Sequence, residues 1–179
     1  LQYGTGSCSG DFAYDTLGLS AKSGPNVNSQ EFGLASTVAD FFSSTYDVDG
    51  IFGLGLVTMA VGKVPTPLDN MASQGVISKK MFAVALDSDN KTASTIDFGF
   101  VDSTKHTGTL QYVPISKTLG LSFLYYMIDF SGMKVGSQSV SGCLLGLICQ
   151  GVVDTGTSFL VGPESVVDPI IKMIGMKTD

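Results

Sequence analysis

The sequence predicts a mainly β protein, and three observations carry that prediction. Apolar residues gather in short runs separated by polar or glycine-rich breaks, the pattern of strands and turns. Of 179 residues, 22 are glycine and only 15% are charged, which suits many turns and few solvated helix faces. Helix spacing with cap chemistry is confined to two stretches.

Taken in order, residues 1–3 and 9–19 are extended around Gly4-Thr5-Gly6-Ser7, and two glycines at such a tip predict a β-hairpin. Residues 32–35 and 51–56 are apolar runs of strand type; between them Phe41, Phe42, Tyr46 and Val48 make a loop rich in apolar groups. Thr66-Pro67-Leu68-Asp69 is a helix start, with a hydroxyl cap, proline in the first turn and an acid placed to return the cap bond. Leu68, Met71 and Ala72 then share one face, and Gly75 ends the helix. Residues 82–86 and 95–100 predict a second hairpin around the polar Asp87-Ser88-Asp89-Asn90 turn. Further strands are expected at 110–115, at 125–130 and at Val152-Val153. A last helix is expected from Glu164 to Ile174, with Pro169 kinking it or shifting its start. Polar residues at 102–106 separate two apolar blocks, so 1–103 and 104–179 are expected as distinct parts. His106, beside Lys105 in that stretch, is expected at the solvated surface.

The length allows one substantial core, or parts of two lobes. A net charge of −6 and no basic cluster beyond Lys79-Lys80 argue against a nucleic-acid or anionic-membrane surface. The longest apolar stretch, 144–153, is broken by Gln150 and too short to span a bilayer. The chain starts directly in a strand-like segment without an initiator Met, and reads as a piece of something longer. Of three cysteines, Cys143 and Cys149 sit close enough to close a small loop in an oxidising compartment. A metal site is disfavoured, since the only histidine is distant in sequence and no CxxC exists. Cys8 is either a thiol or the partner of a residue outside this chain. Asn90-Lys91-Thr92 is an N-glycosylation sequon in a turn-like stretch.

The most informative segment is Gly151-Val152-Val153-Asp154-Thr155-Gly156-Thr157-Ser158-Phe159-Leu160-Val161. A carboxylate inside an apolar run costs several kcal/mol to desolvate unless donors surround it. Gly156 allows a tight turn that aims N–H groups at Asp154, and Thr157 or Ser158 can add hydroxyl donors. The segment reads as a cage for one acid, or as a plain Asp-Thr-Gly turn between strands.

Several segments together decide between those readings. The chain resembles the pepsin-like aspartic proteases along its whole length. The resemblance rests on Tyr3-Gly4-Thr5-Gly6-Ser7, Asp15-Thr16, Asp49-Gly50-Ile51-Phe52-Gly53-Leu54-Gly55, Phe82-Ala83-Val84, Thr107-Gly108-Thr109-Leu110 with Val113-Pro114, and Val153-Asp154-Thr155-Gly156-Thr157-Ser158 with Gly162-Pro163, all collinear. It implies a bilobal acid protease fold with a cleft, an Asp-Thr-Gly loop from each lobe and a hairpin flap. Only the second such loop is present here, so the chain is expected to be incomplete at both ends.

The resemblance implies that Asp154 is one half of a catalytic dyad whose partner lies outside this sequence. Two close carboxylates cannot both ionise and so share a proton; aspartic proteases are the standard illustration of that effect. Tyr3 would pack over the substrate, and Gly4 and Thr5 would bind its extended backbone. Phe42, Val48 and Ile51 would wall the pocket before the scissile bond, and Tyr125 one beyond it. Thr157 would hold Asp154 in its charged form, and Gly156 would let the peptide approach. Cys143 and Cys149 are expected as a disulfide and Asn90 as a glycosylation candidate. The expected function is an aspartic endopeptidase with no metal or other cofactor, secreted or held in a lysosome- or vacuole-like compartment. Its partners would be polypeptide substrates and pepstatin-type inhibitors, with no nucleic acid and no membrane, and the complete chain would be a monomer. Two other readings stand beside it: a non-catalytic peptide-binding relative, and an enzyme assembled from two copies that each give one Asp.

Overall fold

The structure, a computed structural model, describes residues 2–3, 6–20, 24–38, 49–90, 93–118, 122–140 and 149–176; for Gln2, Tyr3 and Gly6 the backbone alone is described. Nine strands and two α-helices lie among these residues, so the chain is mainly β. It divides into two compact units, Leu1–Thr109 and Leu110–Asp179, the division falling just beyond the polar stretch at 102–106.

In the first unit, β1 (Gln2–Tyr3) turns back onto β2 (Gly6–Gly18), with Tyr3 opposite Gly6. From there β2 pairs antiparallel with β3 (Asn26–Val38), from Cys8 opposite Val38 to Gly18 opposite Asn26. The ladder shifts register between Ser9 and Gly10 and again between Asp15 and Leu17. A Cβ at Gly10 would run into the Leu34 carbonyl and lie 2.8 Å from Ala35 Cα, so the bulge admits no side chain. β3 extends well past the apolar run at 32–35, because pairing with β2 carries the strand through polar residues that the run does not include.

The core of this unit forms where β3 meets α1 (Pro67–Ser73). Thr66 accepts the Asp69 N–H at 3.3 Å while Asp69 Oδ2 accepts the Thr66 N–H at 2.9 Å, the reciprocal cap that the sequence predicts. A seven-residue helix has little stability of its own and depends on packing. Leu68 and Met71 supply that packing and are buried, as is Val27 of β3. Each such side chain contributes about 1.5–3 kcal/mol by leaving water. Gln30 is buried beside them and fully engaged: its Nε2 donates to the Glu31 and Pro65 carbonyls and its Oε1 accepts from Asn70 Nδ2 at 2.9 Å. One turn on, Gln74 Oε1 accepts the Asn28 N–H at 2.8 Å and its Nε2 donates to the Asn28 carbonyl at 2.9 Å. Three amide side chains, Gln30, Asn70 and Gln74, thus fasten the helix to the hairpin.

β4 (Phe82–Ala85) and β5 (Thr95–Phe98) form the second predicted hairpin. Gly99 closes it with φ +85° and donates its N–H to the Met81 carbonyl at 2.8 Å. Residues 51–56, expected as a strand, are not one; Phe52 packs its ring 6.1 Å from Phe98, and short 3-10 turns follow at Val57–Met59 and Val61–Lys63. An apolar run becomes a strand only with a neighbour to pair with, and here the rings make the contact instead. His106 also departs from expectation: it is half-buried, with Nδ1 shut from solvent and without a hydrogen-bond partner. Asp102 accepts the Thr104 N–H at 2.8 Å and its hydroxyl at 2.7 Å, starting the 3-10 turn Ser103–Lys105, and Lys105 Nζ reaches the Ala93 carbonyl. Those bonds fold the segment back on itself while Ser103, Thr104 and Lys105 stay exposed.

In the second unit, β6 (Met127–Phe130) pairs antiparallel with β9 (Cys149–Val152), and β7 (Met133–Val135) with β8 (Gln138–Val140). The expected strand at 110–115 does not form, though Ser116 donates to the Met127 carbonyl at 2.7 Å. α2 (Glu164–Met173) starts where predicted and carries Pro169 inside it. Met127 and Val140 are buried, whereas Phe159, Leu160 and Val161 are exposed by 83%, 70% and 80%. The apolar run around Asp154 therefore lies open on the described surface. Among the described residues no helix is long and apolar enough to cross a membrane.

Candidate active site

β9 delivers the chain to the acid. Gln150 sits opposite Asp129 in the ladder, and its Nε2 donates to Asp129 Oδ1 at 3.0 Å and to the Lys117 carbonyl at 3.2 Å. In the sequence Gln150 stands out only as a break in an apolar stretch, yet it braces the strand that leads to the loop. Val153 then donates its N–H to the Tyr126 carbonyl at 2.9 Å. The neighbour of Asp154 is thereby tied to the neighbour of Tyr125, which is 42% exposed just ahead of β6.

At Asp154 the backbone leaves the sheet and turns. Gly156 donates its N–H to Oδ1 at 2.9 Å, and the Thr157 hydroxyl donates to Oδ2 at 2.7 Å. Each carboxylate oxygen receives one donor from the following residues, and the side chain remains exposed. Each oxygen keeps acceptor capacity beyond its one donor, so the exposed group can still meet water or another acid. The donors hold the carboxyl below the usual carboxylate range, the Thr157 hydroxyl contributing most and the Gly156 N–H next, against a smaller opposing effect of burial. A Cβ at position 156 would stand 3.2 Å from Oδ1, so glycine keeps the approach to that oxygen open.

Similar donor sets hold other acids in this chain. Asp87 accepts the N–H groups of Asp89 and Asn90, and Asp102 accepts both donors of Thr104. Those two close a hairpin turn and start a 3-10 turn, which is structural work. Asp154 begins no helix, follows a strand directly, and is flanked by the exposed apolar residues Val152, Val153 and Phe159. An acid with a donor on each oxygen amid exposed apolar residues is the less expected arrangement. Asp15 accepts the Thr16 N–H at 2.6 Å on the exposed hairpin, and Asp49 is exposed ahead of an irregular segment.

Of the other expected site residues, Tyr3 lies in β1 opposite Gly6, so the predicted hairpin turn falls between them. Gly4, Thr5, Phe42, Val48 and Cys143 lie outside the described residues. Ile51 is 54% exposed in the irregular segment before the Phe52 ring contact. Cys149 is disulfide-bonded. Cys8 is half-buried on β2 opposite Val38. Among the described residues no group of three or more His, Cys, Asp or Glu side chains is arranged to hold a metal ion.

Comparison with known proteins covers the whole chain. A family model described as eukaryotic aspartyl protease matches residues 1–179. A pregnancy-associated glycoprotein of Equus caballus is 37% identical over 174 residues, covering 97% of this chain and 42% of that protein. Gastricsin of Mus musculus is 37% identical over 176 residues, covering 98% and 43%. Pepsin A of Gallus gallus is 35% identical over 179 residues, covering 100% and 46%. The chain spans less than half the length of these curated relatives.

Proposed function

The chain belongs to the eukaryotic aspartyl protease family, and from that premise we propose that the complete protein is an aspartic endopeptidase with Asp154 as one of two catalytic acids. The observation that carries the proposal is the exposed Asp154 carboxylate, held at both oxygens by Gly156 and Thr157. The second carboxylate comes from a segment beyond this sequence, and the two acids share one proton. The ionised member takes a proton from a water, which attacks the scissile carbonyl carbon. The protonated member donates to the carbonyl oxygen and later to the leaving nitrogen. Both titrations then belong to the pair.

The same reading assigns residues 1–103 to one lobe and 104–179 to the other. Tyr3, Gly4 and Thr5 form a flap over an extended peptide, Phe42, Val48 and Ile51 wall the pocket ahead of the scissile bond, and Tyr125 lines one beyond it. The Cys149 disulfide supports a secretory or lysosome-like route, with Cys143 as its partner. A monomer that binds pepstatin-type inhibitors completes the proposal.

The decisive experiment is Asp154→Asn in the complete protein, assayed on an unfolded polypeptide at acidic pH. The expected outcome is loss of cleavage with the fold intact, and retained cleavage refutes the assignment. A wild-type protein that binds peptide and inhibitor without cutting would make it a non-catalytic relative instead.

A further inference from the structure

We propose that Asn90 carries an N-linked glycan. In Asn90-Lys91-Thr92 a hydroxyl residue stands two places after the asparagine, and the residue between is not proline. The fold puts this asparagine where a sugar can be carried. Pairing of β4 with β5 ends at Ala85 opposite Thr95, so position 90 lies beyond the last rung of the hairpin. Residues 86–90 are all exposed.

The turn also holds the asparagine by its backbone. Asp87 Oδ1 accepts the N–H groups of Asp89 and Asn90, both at 2.9 Å. Ser94 Oγ accepts the Asp87 N–H at 3.0 Å, and the Asn90 carbonyl accepts the Ala93 N–H at 2.8 Å. A polymer attached at position 90 is thus carried on an exposed turn beyond the last strand pair. An independent observation concerns the compartment. Cys149 is disulfide-bonded, which puts the chain on an oxidising route, and that route is where such sugars are added.

The chemistry is a group transfer from a lipid-pyrophosphate-linked oligosaccharide. The Asn90 amide nitrogen bonds to the anomeric carbon of the sugar, and the bond from that carbon to the pyrophosphate oxygen breaks. The lipid pyrophosphate leaves with the electron pair, one amide proton passes to a base, and nothing is oxidised or reduced.

The proposal does not rest on the peptidase reading, and its test does not use activity. The complete protein is expressed in a eukaryotic secretory host and digested with and without peptide-N-glycosidase. Peptide mass mapping is expected to find a glycan-bearing peptide that the enzyme converts to one with aspartate at position 90. Asn90→Gln and Thr92→Ala are expected to abolish that conversion, and Thr92→Ser to retain it. Secreted protein whose position-90 peptide carries plain asparagine overturns the proposal. A glycosylated chain without peptidase activity supports it while refuting the catalytic assignment.

Discussion

Replacing Thr157 by valine in the complete protein removes the 2.7 Å hydroxyl bond to Asp154 Oδ2 and leaves the side-chain shape unchanged. A hydrogen bond to a charged group is worth about 1.5–3 kcal/mol where the group is buried. Asp154 is exposed and water can replace the lost donor, so roughly 1 kcal/mol is the appropriate figure. That corresponds to about a fivefold weakening of the ionised form relative to the protonated one. The Gly156 N–H still holds Oδ1, so the loop keeps its turn. The sign follows from the group: Thr157 favours the ionised carboxylate and so lowers its pKa, and losing it raises the pH at which Asp154 ionises. The assay is kcat/KM against pH for cleavage of a peptide. Its acid limb should move to higher pH in Thr157→Val and stay in place in Thr157→Ser. An unmoved limb in the valine variant, with the fold intact, would show that the hydroxyl does not govern this acid and would sink the reasoning.

Two stability predictions concern the first unit. Gly99→Ala places a Cβ 2.9 Å from Ile77 Cβ at a φ of +85°. The left-handed backbone costs about 1–2 kcal/mol and the overpacking a similar amount, so a loss of about 2–4 kcal/mol is expected in urea unfolding. A loss below about 0.5 kcal/mol would contradict the assigned turn. The second concerns acid. Burial raises the Asp69 affinity for its proton, but the Lys80 ammonium and the Thr66 N–H and hydroxyl together outweigh it and hold the carboxyl below its ordinary range. A depressed folded-state value means that the stabilisation is present above about pH 4 and fades as the pH falls through the folded value. Lys80→Met should therefore unfold more easily than wild type near neutrality, with the gap closing at strongly acid pH. A gap that is constant from neutral to acid pH would refute the pairing.

The parts of the fold that were legible in the sequence are those whose partners lie a few residues away. Thr66 and Asp69 form the predicted cap because the bond spans three residues. The donors around Asp154 are equally local, Gly156 at two residues and Thr157 at three, with Thr157 supplying the hydroxyl. What was not legible depends on distant partners. β3 is long because β2 lies beside it, and residues 51–56 are irregular because Phe52 packs on a ring that is remote in sequence. The β7–β8 hairpin, with Gly136 at φ +59° in its turn, is too short and polar to show as an apolar run. His106 was misread because nothing in its polar sequence neighbours signals that its Nδ1 is shut from solvent. Gln150 carried no local signal for its bracing contacts to Asp129 and Lys117.

The bulge at Gly10 has a mechanical consequence. On one side of it lie the few rungs that lead through Ser9 to Gly6 and β1; on the other the ribbon is clamped to a helix through Asn28, Gln30, Asn70 and Gln74. Bending is easiest where the ladder is already out of step and no Cβ props the strands apart. The span from Ser9 back to Gly6 can thus bend about a crease while the anchored span stays still. Such bending would disturb only the outermost rungs and leave the packing around Met71 untouched.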